Sequence, residues 1–214
     1  MFILKGKYNL IYKKIIIGID QSYKNTGISV SADGKLKKVH SVHLEHIENN
    51  SKKRKKLRTT LERILQKVIP QGECTEVIIE RIRLRSQGFL NINYIKSIGA
   101  LNAVIVDVCN EHDIKVSSVD TRCWKAQVVG TSKPGPKNNL WNMEPEKYPT
   151  FEWLKQNYPL LVPSVFIDMS GTRKSKNVFE LQGKLWKIND DACDSAAISM
   201  FGFVGDRRKL QEER

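Results

Sequence analysis

Carboxylates recur at three places in this chain where an apolar run begins or ends. KKIIIGID (13–20) closes on Asp20 and TEVIIE (75–80) closes on Glu80. NDDACDSAAISM (189–200) opens with Asp190, Asp191 and Asp194 and then turns apolar. Asp191 and Asp194 stand at i and i+3, so on a helix they share a face. Asp20, Glu80, Asp191 and Asp194 drawn together would repel strongly unless cations intervened. Ligation by oxygen alone selects Mg²⁺ or Mn²⁺, which keep waters and use substrate phosphates as further ligands. Two such ions about 4 Å apart can activate a water and stabilise the leaving oxygen of a phosphodiester.

Taken singly, each acid has a plainer reading. Asp190 reads as an N-cap before it reads as a ligand. Asp191 at a helix N-terminus would compensate the helix dipole. Asp194 is different, because Ala192, Ala196, Ala197 and Ile198 imply a buried surround, where a lone charge is costly. A strand-final Asp or Glu is usually a turn residue. The joint pattern is what points to metal chemistry.

The elements that must position these acids follow from periodicity. Residues 13–20 form a short β-branched run, a buried strand. Residues 24–44 read as two more strands joined at Asp33-Gly34, a strong hairpin signal, so three antiparallel strands come first. Residues 51–69 are helical, with Leu57, Leu61, Ile64, Leu65 and Val68 on one stripe, Ser51 as the cap, and Pro70 and Gly72 as the stop. If the strands ending at Asp20 and Glu80 are neighbours, the two acids lie side by side at one sheet edge, and the last helix crosses that edge. Residues 88–113 form a long helix whose apolar residues wrap more than one face, so it needs two surfaces to pack against. The sheet is one, and a second subunit is a candidate for the other. A strand at 114–119 and a short helix opened by Thr121 and closed by Gly130 follow. Residues 131–149 are a basic loop with Pro and Gly, 150–159 hold a short helix, and 161–188 alternate weakly as a hairpin around GTRKSKN. The fold class is α/β: a mixed five-stranded sheet, three antiparallel strands first, flanked by helices in one domain over 1–214.

Composition agrees with a nucleic-acid partner. The chain has 214 residues, 36 Lys and Arg against 23 Asp and Glu, and a formal net charge of +13. That excess favours a polyanion. No basic helix has the clean apolar face needed to lie on a membrane, and no run approaches the roughly 20 apolar residues of a membrane span. Cys74, Cys109, Cys123 and Cys193 form no CxxC pair, which argues against zinc and for a reducing cytoplasm. The first 14 residues carry too many lysines for a signal peptide. His40, His43 and His46 are three apart, a spacing no strand or loop would gather, and no metal is assigned to them.

IIIGIDQSYKNTGISV, VIIERI and NDDACDSAAIS resemble the three acidic motifs of the RuvC family of Holliday-junction resolvases, within the ribonuclease H-like nuclease superfamily. Residues 92–130 also look like the family's dimer helix, next strand and basic helix. The resemblance covers most of 14–130 and again 189–204, leaving 1–13 and a basic insertion at 131–188 without counterpart. In length and divergence it looks like the phage-encoded branch, whose members act in the host bacterial cytoplasm. It implies a ribonuclease H-like fold and an endonuclease with two Mg²⁺ ions per site, Mn²⁺ substituting. Asp20, Glu80, Asp191 and Asp194 would be the ligands. The substrate implied is branched DNA, cut by a homodimer paired through the helix 88–112 to leave 5′-phosphate and 3′-hydroxyl ends. No small-molecule cofactor is implied. Where bacterial members carry an aromatic residue three positions after the second motif's Glu, this chain has Arg83, which suggests binding led by the DNA backbone.

The resemblance also makes Lys125 a candidate for holding the scissile phosphate, with Lys137 a weaker match and Lys133 beside it. Arg81, Arg83 and Arg85 alternate beyond Glu80 and would form a guanidinium strip suited to phosphates if extended, or else a solvated edge. Lys52, Lys53 and Arg54, in KKRKK, oppose the helix dipole, which hints at an anionic partner. Trp141, Trp153 and Trp186 are candidates for stacking on bases or for core packing. Alternatives to junction cleavage are a ribonuclease H acting on hybrids, a sugar-kinase-like ATPase hinted at by DQSYKNTG, and a non-catalytic binder of branched DNA. The ATPase reading lacks a second Gly-rich phosphate loop.

Overall fold

A computed structural model describes residues 12–47, 49–82, 92–169 and 178–213. Strand β1 (Tyr12–Asp20) pairs antiparallel with β2 (Asn25–Ala32), which pairs antiparallel with β3 (Lys35–His43). Asp33 and Gly34 both take positive φ, as the tight hairpin turn between β2 and β3 requires. Helix α1 (Asn50–Val68) carries the chain to β4 (Gly72–Glu80), which lies parallel to β1 with Ile19 opposite Ile79. Helix α2 (Ile92–Asn110) leads to β5 (Lys115–Val119), parallel to β4. The sheet order is β3-β2-β1-β4-β5-β9, where β9 is a two-residue strand, Gln211–Glu212, antiparallel to β5. The expected five strands are therefore present, with a sixth added at the edge.

The two faces of β1 explain the layers. Ile15, Ile17 and Ile19 join a core with Leu57, Leu61 and Leu65 of α1 and with Ile98, Leu101, Ile105 and Val108 of α2. Ile16 belongs to the opposite cluster, with Ile78 of β4 and with Ala197, Ile198 and Phe201 of α5 (Asp190–Val204). Alternation along a strand thus assigns odd residues of β1 and β4 to the α1/α2 layer and even ones to the α5 layer. Asp20 and Glu80 are even, so both belong to the α5 face.

After β5 come a short helix α3 (Thr121–Trp124), a π-helical turn (Lys125–Val129), α4 (Tyr148–Asn157) and a 3₁₀ stretch (Pro159–Val165). Three short strands follow: β6 (Phe166–Asp168), β7 (Val178–Leu181) and β8 (Lys184–Ile188), ordered β6-β8-β7. The hairpin expected around GTRKSKN is replaced by a tight turn at Gln182-Gly183 joining β7 to β8, with β6 on the far side of β8. Residues 170–177 lie outside the described residues. Phe151, Leu154, Val165, Phe179 and Ile188 from this segment share a core with Ala192, Cys193 and Ala196 of α5.

Helix starts differ by one or two residues from expectation. Asn49, not Ser51, caps α1 and accepts from Ser51 N at 2.8 Å. Asp120, not Thr121, caps α3. Asn189, not Asp190, caps α5, its side chain accepting from Ala192 N at 3.2 Å. The described part of the long second helix begins at Ile92, and residues 88–91 lie outside it. Among the described residues no helix is long and apolar enough to cross a membrane.

Candidate metal centre

Parallel pairing of β1 with β4 sets Asp20 and Glu80 beside each other at the carboxyl ends of both strands. Helix α5 reaches this edge because two glycines let it. A Cβ on Gly18 would strike the Ser195 carbonyl and Ser199 N, and one on Gly27 would strike the Asp191 carbonyl. Ser29 Oγ donates to Ser195 O at 2.5 Å, and the Ser31 and Ser199 hydroxyls pair at 2.6 Å, so the helix is stitched to β2. Its first turn is also fixed at Asn189, whose Nδ2 donates to Ser41 Oγ on β3.

The result is a cluster of carboxylates from three remote stretches. One oxygen each from Asp20, Glu80 and Asp194 lies within 4.8 Å of the others. Asp191 stands outside this closest group, one turn earlier on the same helix. Asp190 turns to Lys147, whose Nζ is 2.8 Å from Asp190 Oδ2 and 4.0 Å from Asp194 Oδ2.

Glu80 is held by donors from α3. Thr121 Oγ1 donates to Oε1 at 2.7 Å, and Trp124 Nε1 donates to Oε2 at 3.2 Å. The side-chain amide of Gln21 donates to the Glu80 backbone carbonyl, while its own Oε1 is buried without a partner among the described residues. Asp194 Oδ1 is likewise buried with no hydrogen bond among them.

Burial and mutual repulsion raise the carboxyls of the cluster. Burial, then the charges of Glu80, Asp191 and Asp194, raise the Asp20 carboxyl well above its usual range. Burial and Asp194 raise Glu80 against the pull of Thr121 and Trp124. Burial raises Asp194 too, with Lys147 and Lys125 opposing. Asp191 is pushed up to about 8, chiefly by burial and then by Asp190. Burial would lower Lys147, but Asp194 and Asp190 outweigh it and hold the ammonium protonated. All-oxygen donors, buried at Asp20 and Asp194 and half-buried at Glu80, with Asp194 Oδ1 unpartnered among the described residues, fit a hard divalent ion such as Mg²⁺ or Mn²⁺.

The basic candidates divide. Lys125 Nζ donates to the Glu146 carbonyl at 3.1 Å and lies 5.3 Å from the Trp124 ring centroid, so it touches none of the carboxylates. Lys133 and Lys137 are exposed in the loop before α4, and Lys52 and Arg54 are exposed on α1. Lys53 is turned inward instead: it is buried, its Nζ 3.5 Å from the Tyr23 ring centroid and donating to the Tyr23 carbonyl. Its counter-group is that ring and carbonyl, so it is not free to meet a phosphate. Arg81 bends back to β5, with Nε 3.4 Å from Ser118 Oγ. Arg83 and Arg85 lie outside the described residues. Trp141 packs edge-on against Phe151 and Phe179 at 5.2 and 5.0 Å, as a core residue does, and Trp186 lies against Phe166.

Lys147, Thr121, Trp124 and Gln21 are site residues that sequence reasoning did not assign. Thr121 and Trp124 carried a usable signal. A helix starting where a parallel strand ends places its first turn at the ligand-binding edge of the sheet. Lys147 carried none, being one lysine among several in a basic loop.

No protein-family profile matches the sequence, and neither does any curated protein. Solved structures do. RuvC of Thermus thermophilus matches 93% of this chain and 99% of its own at 11% identity and a TM-score of 0.54. The same protein solved in complex with a Holliday junction substrate covers 94% and 99%, again at 11% identity, with a TM-score of 0.55. The fold is that of RuvC. The yeast mitochondrial Holliday junction resolvase Ydc2 shares it too, covering 89% of this chain and 78% of its own at 15% identity and a TM-score of 0.50. The ribonuclease H-like sheet expected from the acidic motifs is thus the sheet found, and Asp20 and Glu80 at its edge meet Asp194 of α5.

Proposed function

We propose that this protein is a metal-dependent endonuclease that cuts Holliday junctions and other branched DNA. The observation that carries this reading is the convergence of Asp20, Glu80 and Asp194 within 4.8 Å on a RuvC fold. Asp191, a turn away and half-buried, completes the proposed ligand set. A bound Mg²⁺ or Mn²⁺ would supply Lewis-acid stabilisation of the phosphate and a water of lowered pKa. Thr121 and Trp124 donate to the two oxygens of Glu80 and would hold its carboxylate in one orientation as a metal ligand. Asp20 sits at the strand end with its carboxyl enclosed, which excludes bulk water from that side of the cluster. In the proposed reaction water adds to phosphorus in line with the 3′ oxygen, and the P–O3′ bond breaks. The leaving oxygen takes up a proton, and the ends are a 5′-phosphate and a 3′-hydroxyl.

DNA would be held by its backbone. The +13 charge supports this, as do Lys52, Arg54, Lys133 and Lys137, which are exposed and make no ion pair among the described residues. The reading includes a homodimer through α2. In support, Ile92 is 62% exposed, the position beside Gly99 opens on empty space, and Asn102 Oδ1 is buried without a partner among the described residues. Two symmetric cuts in a four-way junction need two such sites.

The test is a substrate panel: a labelled four-way junction, a linear duplex and an RNA–DNA hybrid, each with and without Mg²⁺. Paired nicks in the junction only with Mg²⁺ support the proposal. Cleavage of the hybrid in preference would make the protein a ribonuclease H, and binding without cleavage under any divalent ion would make it an architectural binder.

A further inference from the structure

Lys147 is the residue in the carboxylate cluster that no acidic motif accounts for. It is the last residue before α4, and α4 is fixed to α5 by Phe151 and Leu154, both fully buried against Ala192, Cys193 and Ala196. Packing therefore delivers the ammonium to the mouth of the cluster. Among the described residues its Nζ is the only side-chain cation in ion-pair range of these acids, at 2.8 Å from Asp190 and 4.0 Å from Asp194. Asp194 is also a proposed metal ligand, with its other oxygen unpartnered.

An ammonium and a divalent ion beside one carboxylate repel each other. We propose that Lys147 is a resident counter-ion of the cluster, which a metal ion must push away from Asp194 before it is fully bound. The lysine then sets how tightly the metal is held. This rests on reading Asp20, Glu80 and Asp194 as a metal centre. The geometry permits the movement: the Lys147 side chain is 33% exposed, and Asp190, at the outer side of the helix start, keeps a carboxylate for it at 31% exposure. Asp194, at 4%, has no comparable freedom. The mobile member of the pair is the lysine.

The sign of the effect separates this role from a structural one. Damage to the site weakens metal binding, whereas removal of a competing charge tightens it. Mn²⁺ is titrated calorimetrically into the full chain as wild type, Lys147→Met and Lys147→Arg, with no DNA present. Lys147→Met keeps the aliphatic stem and drops the charge, and its Kd for Mn²⁺ is expected to fall about tenfold. Lys147→Arg keeps the charge and stays within about threefold of wild type. A Kd for Lys147→Met equal to or weaker than wild type overturns the proposal and leaves the metal centre standing. Failure of every form to bind Mn²⁺ overturns the metal centre and this proposal with it. Thermal melting guards against loss of folding. In chelator Lys147→Met should melt below wild type, and saturating Mn²⁺ should raise its midpoint by more than it raises the wild type's. An equal rise overturns the proposal.

Discussion

Trp124 and Glu80, 44 residues apart in the chain, meet through an indole N–H donated to Glu80 Oε2 at 3.2 Å. The indole is wholly buried, and Thr121, one turn earlier, takes the other oxygen. Two donors from one short helix therefore fix the rotamer of a proposed metal ligand. Trp124→Phe keeps most of the apolar volume and removes the donor. Loss of such an outer partner should cost about 10- to 100-fold in metal affinity or cleavage rate. Mn²⁺ affinity and single-turnover rates check this, and values unchanged from wild type would show that the indole only fills space.

The pH dependence follows from carboxyls that are raised rather than lowered. Asp20, Glu80, Asp191 and Asp194 all bind their protons more tightly folded than unfolded, Asp191 up to about 8. Their contribution to stability is therefore fully present below about pH 4, the unfolded carboxyl value, and is lost as pH rises toward 8. Metal must find these ligands deprotonated, so it competes with protons at low pH. Melting in chelator should show a midpoint falling between pH 5 and pH 8. Mg²⁺ or Mn²⁺ at about 100 times Kd should add about 2.7 kcal/mol at pH 8. That is about 5–10 °C for a chain of this length. The increment at pH 5 should be smaller, and an increment at pH 5 equal to that at pH 8 would contradict the assignment.

Gly27 has a similar positional role on β2. A methyl group there meets the Asp191 carbonyl and forces the first turn of α5 off the sheet. Gly27→Ala should destabilise by about 1–3 kcal/mol, as overpacking does. It should also lower metal affinity, because Asp194 rides on the displaced helix. Denaturant melts and Mn²⁺ titration report the two effects, and a variant with wild-type values for both would show that the helix is not seated as described.

Neighbouring lysines on α1 should separate binding from folding. Lys52 is exposed, whereas Lys53 is buried under Tyr23. Lys52→Ala, Arg54→Ala, Lys133→Ala and Lys137→Ala should each weaken DNA binding evenly across structures and reduce the salt slope by about 1 for each phosphate no longer neutralised. Lys53→Ala should leave the salt slope alone and cost about 1–2 kcal/mol of stability, because the ammonium no longer sits on the Tyr23 ring. Salt-dependent binding isotherms and melts distinguish the two, and a changed salt slope in Lys53→Ala would place that side chain on DNA after all.

The core of the site was legible because strand parity is strict. In IIIGID and VIIE the apolar residues flank their acids so closely that Asp20 and Glu80 share a face once the strands pair; of the two helix acids at i, i+3, Asp194 joins them and Asp191 stands outside the closest group. What stayed illegible depends on single-residue offsets or on distant packing. Asn49, Asp120 and Asn189 cap helices where Ser51, Thr121 and Asp190 were equally good by type, since all are cap formers. Lys53 and Lys52 are alike in sequence, and only the docking of Tyr23 sends one inward. The β6-β8-β7 sheet defied the hairpin reading because β6 pairs with β8 across the chain rather than with its nearer neighbour.

The most direct measurement is single-turnover cleavage of a labelled four-way junction by Asp20→Asn, Glu80→Gln and Asp194→Asn, alone and together, alongside the junction Kd. Groups that act as one unit lose activity non-additively. Each single variant should fall at least about 10³-fold, the combination should fall little further, and binding should stay near wild type. Cleavage by any of the three at the wild-type rate would contradict the shared metal centre.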